Sequence, residues 1–493
     1  VHLHFELRKG GTPVNPLTHG LPVPDTQPPR IKRLLAVPFT PDAHVDQAHD
    51  AAEFHFRDGT LAGPVRVSGD VRLLVEAPDR IDGSERDLTP LSVELKIDGR
   101  RWHRSVYEAV SYADTRHTEL DFDAERNAHR EGLFNKLYAE GPRVRAHQPG
   151  GKLLTRLRPG DHAAEIIATD AAGNRTTARF TLHVERPAPP CVVKRARLRL
   201  PKAMPTAAGP RAWRGTTLVV PTPELCAGRA ARVDVRINKK RAKGWRATRL
   251  RGQPALALTL PADRSATVEI GHAPADGPAT WVRLESFPVV PGGDVERGPV
   301  ALEIGEDSLF FEYPSEVWTV PNPGGDGLEA VSPVYRFGNA WRPGKGYNTV
   351  RLKRTTPAAE GPHVGVYLHD RGRFWRLGGL EKGDWLQAGT VHLGDLALMR
   401  DVSDPVIGDP YLDTHPAGPR LVVPVKEQGA GLAKVTVTVD GRPVPLELQR
   451  AFDRGLWLPA RRPAPGPHVI EIEARDRSGR AASKRATVIW PAP

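Results

Sequence analysis

Residues 93–100 read Val-Glu-Leu-Lys-Ile-Asp-Gly-Arg, and residues 435–442 read Val-Thr-Val-Thr-Val-Asp-Gly-Arg. In each, apolar residues alternate with polar ones, so a strand would bury one face and wet the other. Each closes on Asp-Gly, a dipeptide that accepts the positive φ angles of a two-residue hairpin turn. The likeness continues downstream. Pro159-Gly160-Asp161-His162 leads through Glu165-Ile166-Ile167-Ala168 to Asp170 and Gly173-Asn174. Pro465-Gly466-Pro467-His468 leads through Glu471-Ile472-Glu473-Ala474 to Asp476 and Gly479-Arg480. Glycine and aspartate are ten positions apart in both (160 to 170, 466 to 476). Matched spacing at several points predicts two copies of one β-sandwich unit. His162 and His468 fall at equivalent turns of different units, so a structural role at a strand entry is expected of both.

The two copies differ inside. Asp98 and Asp170 are 72 positions apart, Asp440 and Asp476 only 36, so the first copy carries an insertion. Its stretch from Asp121 to Gly141 lacks proline. Ala124–Arg130 and Leu133–Tyr138 within it read as one or two helical turns. Elsewhere 49 prolines and 47 glycines among 493 residues exclude long helices, because an interior proline removes a hydrogen bond and clashes with the preceding turn. An apolar share of 39% is still enough to build cores. The expected architecture is therefore all-β: several β-sandwich (Ig-like) domains in tandem, with one short helical insertion in the first. Composition shifts place boundaries at 1–27, 28–187, 188–295, 296–403 and 404–493, with Pro187-Ala188-Pro189-Pro190 as a linker. No run approaches the ~20 apolar residues that span a bilayer.

Net charge is +12, which suits anionic partners such as nucleic acid, acidic lipid or a cell-wall polymer. The cations cluster at Lys194-Arg195-Ala196-Arg197-Leu198-Arg199 and at Lys239-Lys240-Arg241-Ala242-Lys243-Gly244-Trp245-Arg246. No zinc finger, helix-turn-helix or RNA-binding signature accompanies them, which argues against nucleic acid. A solvated strand face is the plain alternative. Cys191 and Cys226 are the only cysteines; one bridge and two buried thiols both remain open. Residues 296–403 hold most of the aromatic weight, which serves either as core or as a stacking surface for sugar rings.

The first seventeen residues carry the most specific signal: Val1-His2-Leu3-His4-Phe5-Glu6-Leu7-Arg8, then Gly10-Gly11-Thr12-Pro13-Val14-Asn15-Pro16-Leu17. On a strand His2 and His4 share a face, and two such imidazoles suit zinc binding or proton transfer. The stretch closely resembles the end of the catalytic domain of the lysostaphin/LytM-type zinc metalloendopeptidase family. That resemblance implies that His4 ligates zinc and that His2 assists catalysis. It implies hydrolysis of peptide cross-links, typically in peptidoglycan, by a zinc-activated water. The family's other two zinc ligands, in a His-x-x-x-Asp motif, would precede Val1. His117-Thr-Glu-Leu-Asp121 and His272-Ala-Pro-Ala-Asp276 match that string but lack the surrounding glycines and lie on the wrong side, so neither is taken as a ligand.

The Asp-x-x-Gly-Asn turn at Asp170 and Ser332-Pro333-Val334-Tyr335 also resemble β-sandwich tails found behind this domain in some Gram-negative exported proteins. Two expectations follow. In one, the chain is the C-terminal part of an exported zinc endopeptidase, cut inside its catalytic domain and inactive as it stands, its zinc site incomplete. In the other it is a non-catalytic β-sandwich array for adhesion or binding of peptidoglycan or another envelope polymer. Both place it in the cell envelope, the periplasm or outside the cell.

Overall fold

The computed structural model describes residues 5–21, 23–140, 157–186, 189–207, 211–226, 231–274 and 277–492. The expected all-β architecture is what it shows. Among the described residues four large apolar cores follow one another, each between two mainly antiparallel sheets.

The alternating segments behave as their pattern requires. In the first sandwich Ser92–Ile97 pairs with Gly160–Thr169, setting Leu95 opposite Ile166. Val93, Leu95 and Ile97 are buried. In the fourth, Leu432–Val439 pairs with Gly466–Asp476, Val437 opposite Ile472, and Val435, Val437 and Val439 are buried. The Asp-Gly turns match as well. Asp98 and Gly99 have φ of 50° and 74°, Asp440 and Gly441 of 51° and 75°, the doubly left-handed turn that follows the twist of its strands.

The insertion is helical at Ala124–Ala128, as read, but not over Leu133–Tyr138. A 3₁₀ stretch, Tyr112–Asp121, precedes one short helix, Ala124–Ala128, capped by Asp123, whose side chain accepts from Arg126 N. The following segment is extended: Phe134–Lys136 adds a strand beside Leu74–Glu76. Phe134 is fully buried against Leu35 and Leu74, and that burial outweighs any local helical preference. Of the twelve aromatics of residues 296–403, Tyr313, Tyr335, Phe337, Tyr367 and Phe374 are core, Phe310, Phe311, Trp318, Trp341 and Trp385 are half-buried, and Tyr347 and Trp375 are exposed.

The second and third sandwiches share a strand. Thr280–Val289 gives Val282 and Leu284 to the second core and Phe287 and Val289 to the third. Beside it, Arg211 Nε and Trp213 Nε1 of the second sandwich both donate to Glu316 Oε1 of the third, at 2.8 and 3.0 Å. The first sandwich joins both. Thr217 Oγ1 donates to Phe39 O at 2.8 Å, and Arg342 of the third reaches Glu140 of the insertion at 3.0 Å. Cys191 and Cys226 form a disulfide within the second sandwich. Among the described residues no helix is long and apolar enough to cross a membrane.

Glu140 shows how tightly the insertion is held. Burial alone would raise its pKa, but Lys136, Arg342 and Arg72 outweigh that and hold it at about 2. A depressed carboxylate stabilises the fold above its unfolded pKa and loses that contribution as pH falls through the folded one. Glu140→Gln should cost about 3 kcal/mol or more, since it strands buried cations. Urea denaturation at pH 7 should show a lower midpoint for the variant. The wild type should lose that advantage as pH drops from about 4.5 towards 2, and equal midpoints at pH 7 would remove Glu140 from this role.

Candidate functional site

His2 and His4 lie outside the described residues. The chain just after them forms a hairpin, Leu7–Lys9 with Thr12–Val14, turning through Gly10 and Gly11 at φ of 57° and 82°. Asn15 Oδ1 accepts from Leu17 N, and Asn15 N donates to Glu108 O at 2.7 Å, fastening the segment to the first sandwich. His117 stands 3.3 Å from Asp114 and against the Phe310 ring. His272 is buried, which lowers its pKa, and Asp276 lies outside the described residues.

His162 and His468 occupy matching structural positions. His162 Nδ1 meets Asp98 Oδ2 at 2.7 Å and its Nε2 meets Arg158 O at 2.8 Å. His468 repeats this with Asp440 Oδ2 at 2.6 Å and Ala464 O at 2.7 Å. The other oxygen of each aspartate accepts from the amide after the histidine, Ala163 N or Val469 N. Both ring nitrogens face acceptors, so only the doubly protonated ring satisfies both. Accordingly each pKa is raised, chiefly by the carbonyl and next by the aspartate. The unit ties an Asp-Gly turn to the neighbouring strand entry in both copies.

A second candidate surface lies on the second sandwich. The Ala231–Ile237 strand pairs on one side with Ala266–Pro274. Its other edge is covered in two pieces: Val193–Arg195 runs parallel to Ala231–Val233, and Lys240–Arg241 runs antiparallel to Arg236–Ile237. The two basic clusters, remote in sequence, therefore share one edge. Arg195 stacks over Trp245 at 5.1 Å and donates to Lys243 O; Arg241 donates to Ala196 O at 2.6 Å. Leu198 is buried between exposed Arg197 and Arg199, as the alternation predicts, although these residues are not strand. Asp234, buried beneath, takes hydrogen bonds from Leu198 N, Arg236 and Arg241. All nine cations of the clusters are exposed, and among the described residues Arg241 is the one that pairs with an acid.

A cleft of about 550 Å³ lies where the first three sandwiches meet, lined among others by Trp213, Trp318 and Trp341. Its groups are largely engaged already. Arg336 and Asp395 form a two-pronged pair, Arg211 covers Trp318 at 4.5 Å, and His129 packs on Trp341. Two groupings were missed in the sequence: Asp25, Asp79 and Asp170 at one end of the first sandwich, and Asp401, Glu427 and Asp476 where the third meets the fourth. Burial, with the charges of Asp170 and Asp25, raises Asp79 to about 6.

No family model matches the chain, and no curated protein matches it. Among solved structures it is similar to the human desmocollin-1 ectodomain (11% identity, 85% of each chain, TM-score 0.15). It is also similar to a tetra-tandem repeat from the extending region of a large adhesion protein (13% identity, 88% of this chain and 100% of that one, TM-score 0.16). A third likeness is to a Bacteroides ovatus mixed-linkage glucan utilization protein, SGBP-B (11% identity, 91% of this chain and 70% of that one, TM-score 0.14). At such TM-scores these likenesses carry no weight for fold or function.

The histidine units make a pH-dependent contribution of defined sign. Because both pKa values are raised on folding, their stabilisation is complete below about 6.5 and fades as pH rises through the folded values. Asp98→Asn with Asp440→Asn should flatten this. Thermal melts at pH 6 and pH 8.5 check it: the wild type should lose more than the double variant, and parallel losses would count against the unit.

Proposed function

We propose that the chain acts as a non-catalytic array of tandem β-sandwiches, exported from the cytoplasm, whose second sandwich holds an anionic envelope polymer against its basic edge. The observation that carries this reading is the convergence of Lys194–Arg199 and Lys239–Arg246 on one strand edge, with eight of nine exposed cations free of an acid partner among the described residues. Cations that fold with paired acids add little outward field, whereas unpaired ones on one edge attract a polyanion and are screened by salt. The disulfide fits an oxidising compartment. Teichoic acid binding, followed by fluorescence polarisation at 50 mM NaCl, should weaken at least about tenfold when Lys194, Arg197, Lys239, Lys240 and Lys243 are all replaced by Gln. It should also weaken in the wild type at 300 mM NaCl. Affinity unchanged in the variant, or equalled by duplex DNA, would overturn the proposal.

A second reading keeps the endopeptidase resemblance: the parent protein cleaves peptide cross-links with zinc on His4 and with His2 assisting. It is supported by the His2–Leu17 motif and by the tight glycine turn within it at Gly10 and Gly11. With His4 as the one credible ligand, the 493-residue chain should retain no stoichiometric zinc at neutral pH, because a catalytic site takes three protein ligands. Atomic emission after dialysis measures this, and a tight equivalent lost in His4→Ala would show the ligand set to be larger. For the parent, an in-frame His-x-x-x-Asp in a Gly-rich β domain upstream of Val1 supports the reading, and its absence behind a start codon sinks it.

A further inference from the structure

The two acidic groupings occupy the same place in two related sandwiches. Asp79 follows the Val71–Glu76 strand, and Glu427 follows Gly418–Lys426; each stands seven positions beyond an Arg-Leu pair, Arg72-Leu73 and Arg420-Leu421. Asp170 and Asp476 are the equivalent turn residues at the far ends of Gly160–Thr169 and Gly466–Asp476. The third member comes from the segment entering each sandwich: Asp25 in Asp25-Thr-Gln-Pro-Pro29-Arg-Ile31, and Asp401 in Asp401-Val-Ser-Asp-Pro405-Val-Ile407. Within each trio one carboxylate oxygen per residue lies within 4.8 Å of the others.

Three like charges so close repel strongly unless a cation or protons neutralise them. Among the described residues no Lys, Arg or His pairs with any of the six: the ion pairs of this region go instead to neighbours such as Asp404, which Arg480 takes at 2.8 Å. What the protein supplies instead is neutral donors, mostly backbone amides, with Asn174 Nδ2 and the Ser403 and Ser478 hydroxyls. Asp476 Oδ1 accepts from the amides of Ser478, Gly479 and Arg480 at 2.7–2.9 Å, Asp170 Oδ1 from Asn174 N at 2.8 Å, and Asp401 Oδ2 from Ala430 N at 3.0 Å. Asp170, Asp401 and Glu427 have donors at both carboxylate oxygens. Asp476, 2% exposed, and Asp79, 6% exposed, each keep one buried carboxylate oxygen with no hydrogen-bond partner. A buried carboxylate oxygen without a donor is costly, and here one occurs in both copies, within the trio.

We infer that each trio is a divalent-cation site for Ca²⁺. The donors are all oxygens and include no imidazole or thiolate, which suits a hard cation rather than zinc. Carboxylates drawn from three separate segments suit the longer, irregular coordination of Ca²⁺ better than the rigid octahedron of Mg²⁺. In the fourth sandwich the ion ties Asp401, the last residue of a third-sandwich strand, to Glu427 and Asp476, so it fixes one domain on the next. In the first sandwich it pins the entering segment at Asp25. The sites stand independently of whether the basic edge binds a polymer.

The test is equilibrium dialysis of the full 493-residue chain against ⁴⁵Ca²⁺ after EDTA treatment, with thermal melting alongside. Two ions per chain should bind, with a Tm several degrees higher in 2 mM CaCl₂ and a smaller rise in 2 mM MgCl₂. Asp79→Asn and Asp476→Asn should each remove one ion, and the double variant both. Asn keeps the amide-accepting oxygen, and far-ultraviolet circular dichroism verifies that the strands persist; Glu427→Gln provides a second probe of the fourth-sandwich site. Loss of one ion in only one variant retains that site and overturns the other. No saturable binding by the wild type up to 2 mM, or two ions still bound by the folded double variant, overturns both.

Discussion

A strand can serve two cores only by outrunning one of them, and Thr280–Val289, ten residues and about 33 Å long, does so. Its first half is buried in the second sandwich and its second half in the third. No flexible hinge therefore separates these domains. The side-by-side donors Arg211 and Trp213, converging on the buried Glu316 carboxylate, hold the same joint from the flank. Breaking that contact would leave a charge stranded between two domains, which is why it confers direction as well as cohesion. The first sandwich then packs into the angle so formed, and the three-domain cleft is the space left over.

The related first and fourth sandwiches are used differently because of the insertion. In the first, the inserted stretch supplies Glu140 to Arg342, His129 to Asp370 and His117 to Phe310, three contacts that bind it to the third sandwich. The fourth copy lacks that stretch and meets the third through its turn end, where His363 Nδ1 lies 3.1 Å from Ser478 O and Asp401 accepts from Ala430. One unit is thus clamped broadside while its relative is joined end to end. A junction of the second kind has few apolar contacts to stiffen it, so the polar groups placed there decide its geometry.

Short-range pattern was legible and cross-chain pairing was not. Alternation at Val93–Ile97 and Val435–Val439, and the Asp-Gly turns behind them, state their own geometry because strand period and turn chemistry are local. His162 and His468 were recognisable as structural from their matched positions, although their aspartate partners were not. Phe134–Lys136 looked helical because its partner, Leu74–Glu76, lies about sixty positions earlier. The basic clusters stood as two separate runs of sequence for the same reason: only the register of Ala231–Ile237 puts them on one edge. The acidic trios draw on residues up to 145 positions apart (25 to 170). A trace of them was nevertheless present in the repeated Asp-x-x-x-Pro-x-Ile entering each sandwich.

The disulfide bears on more than stability. Cys191 stands just ahead of Val193–Arg195, an edge strand of three residues that runs parallel to its neighbour, and so short a strand has few ladder bonds of its own. Cys226 anchors it to the 3₁₀ turn beside the core. The position of Lys194 through Arg199 over the Lys239–Arg246 loop is therefore secured covalently at one end. Reduction would leave the net charge of the chain untouched while removing the covalent tie at one end of the basic edge, leaving its ladder and the hydrogen bonds of Leu198 and Ala196 to hold it.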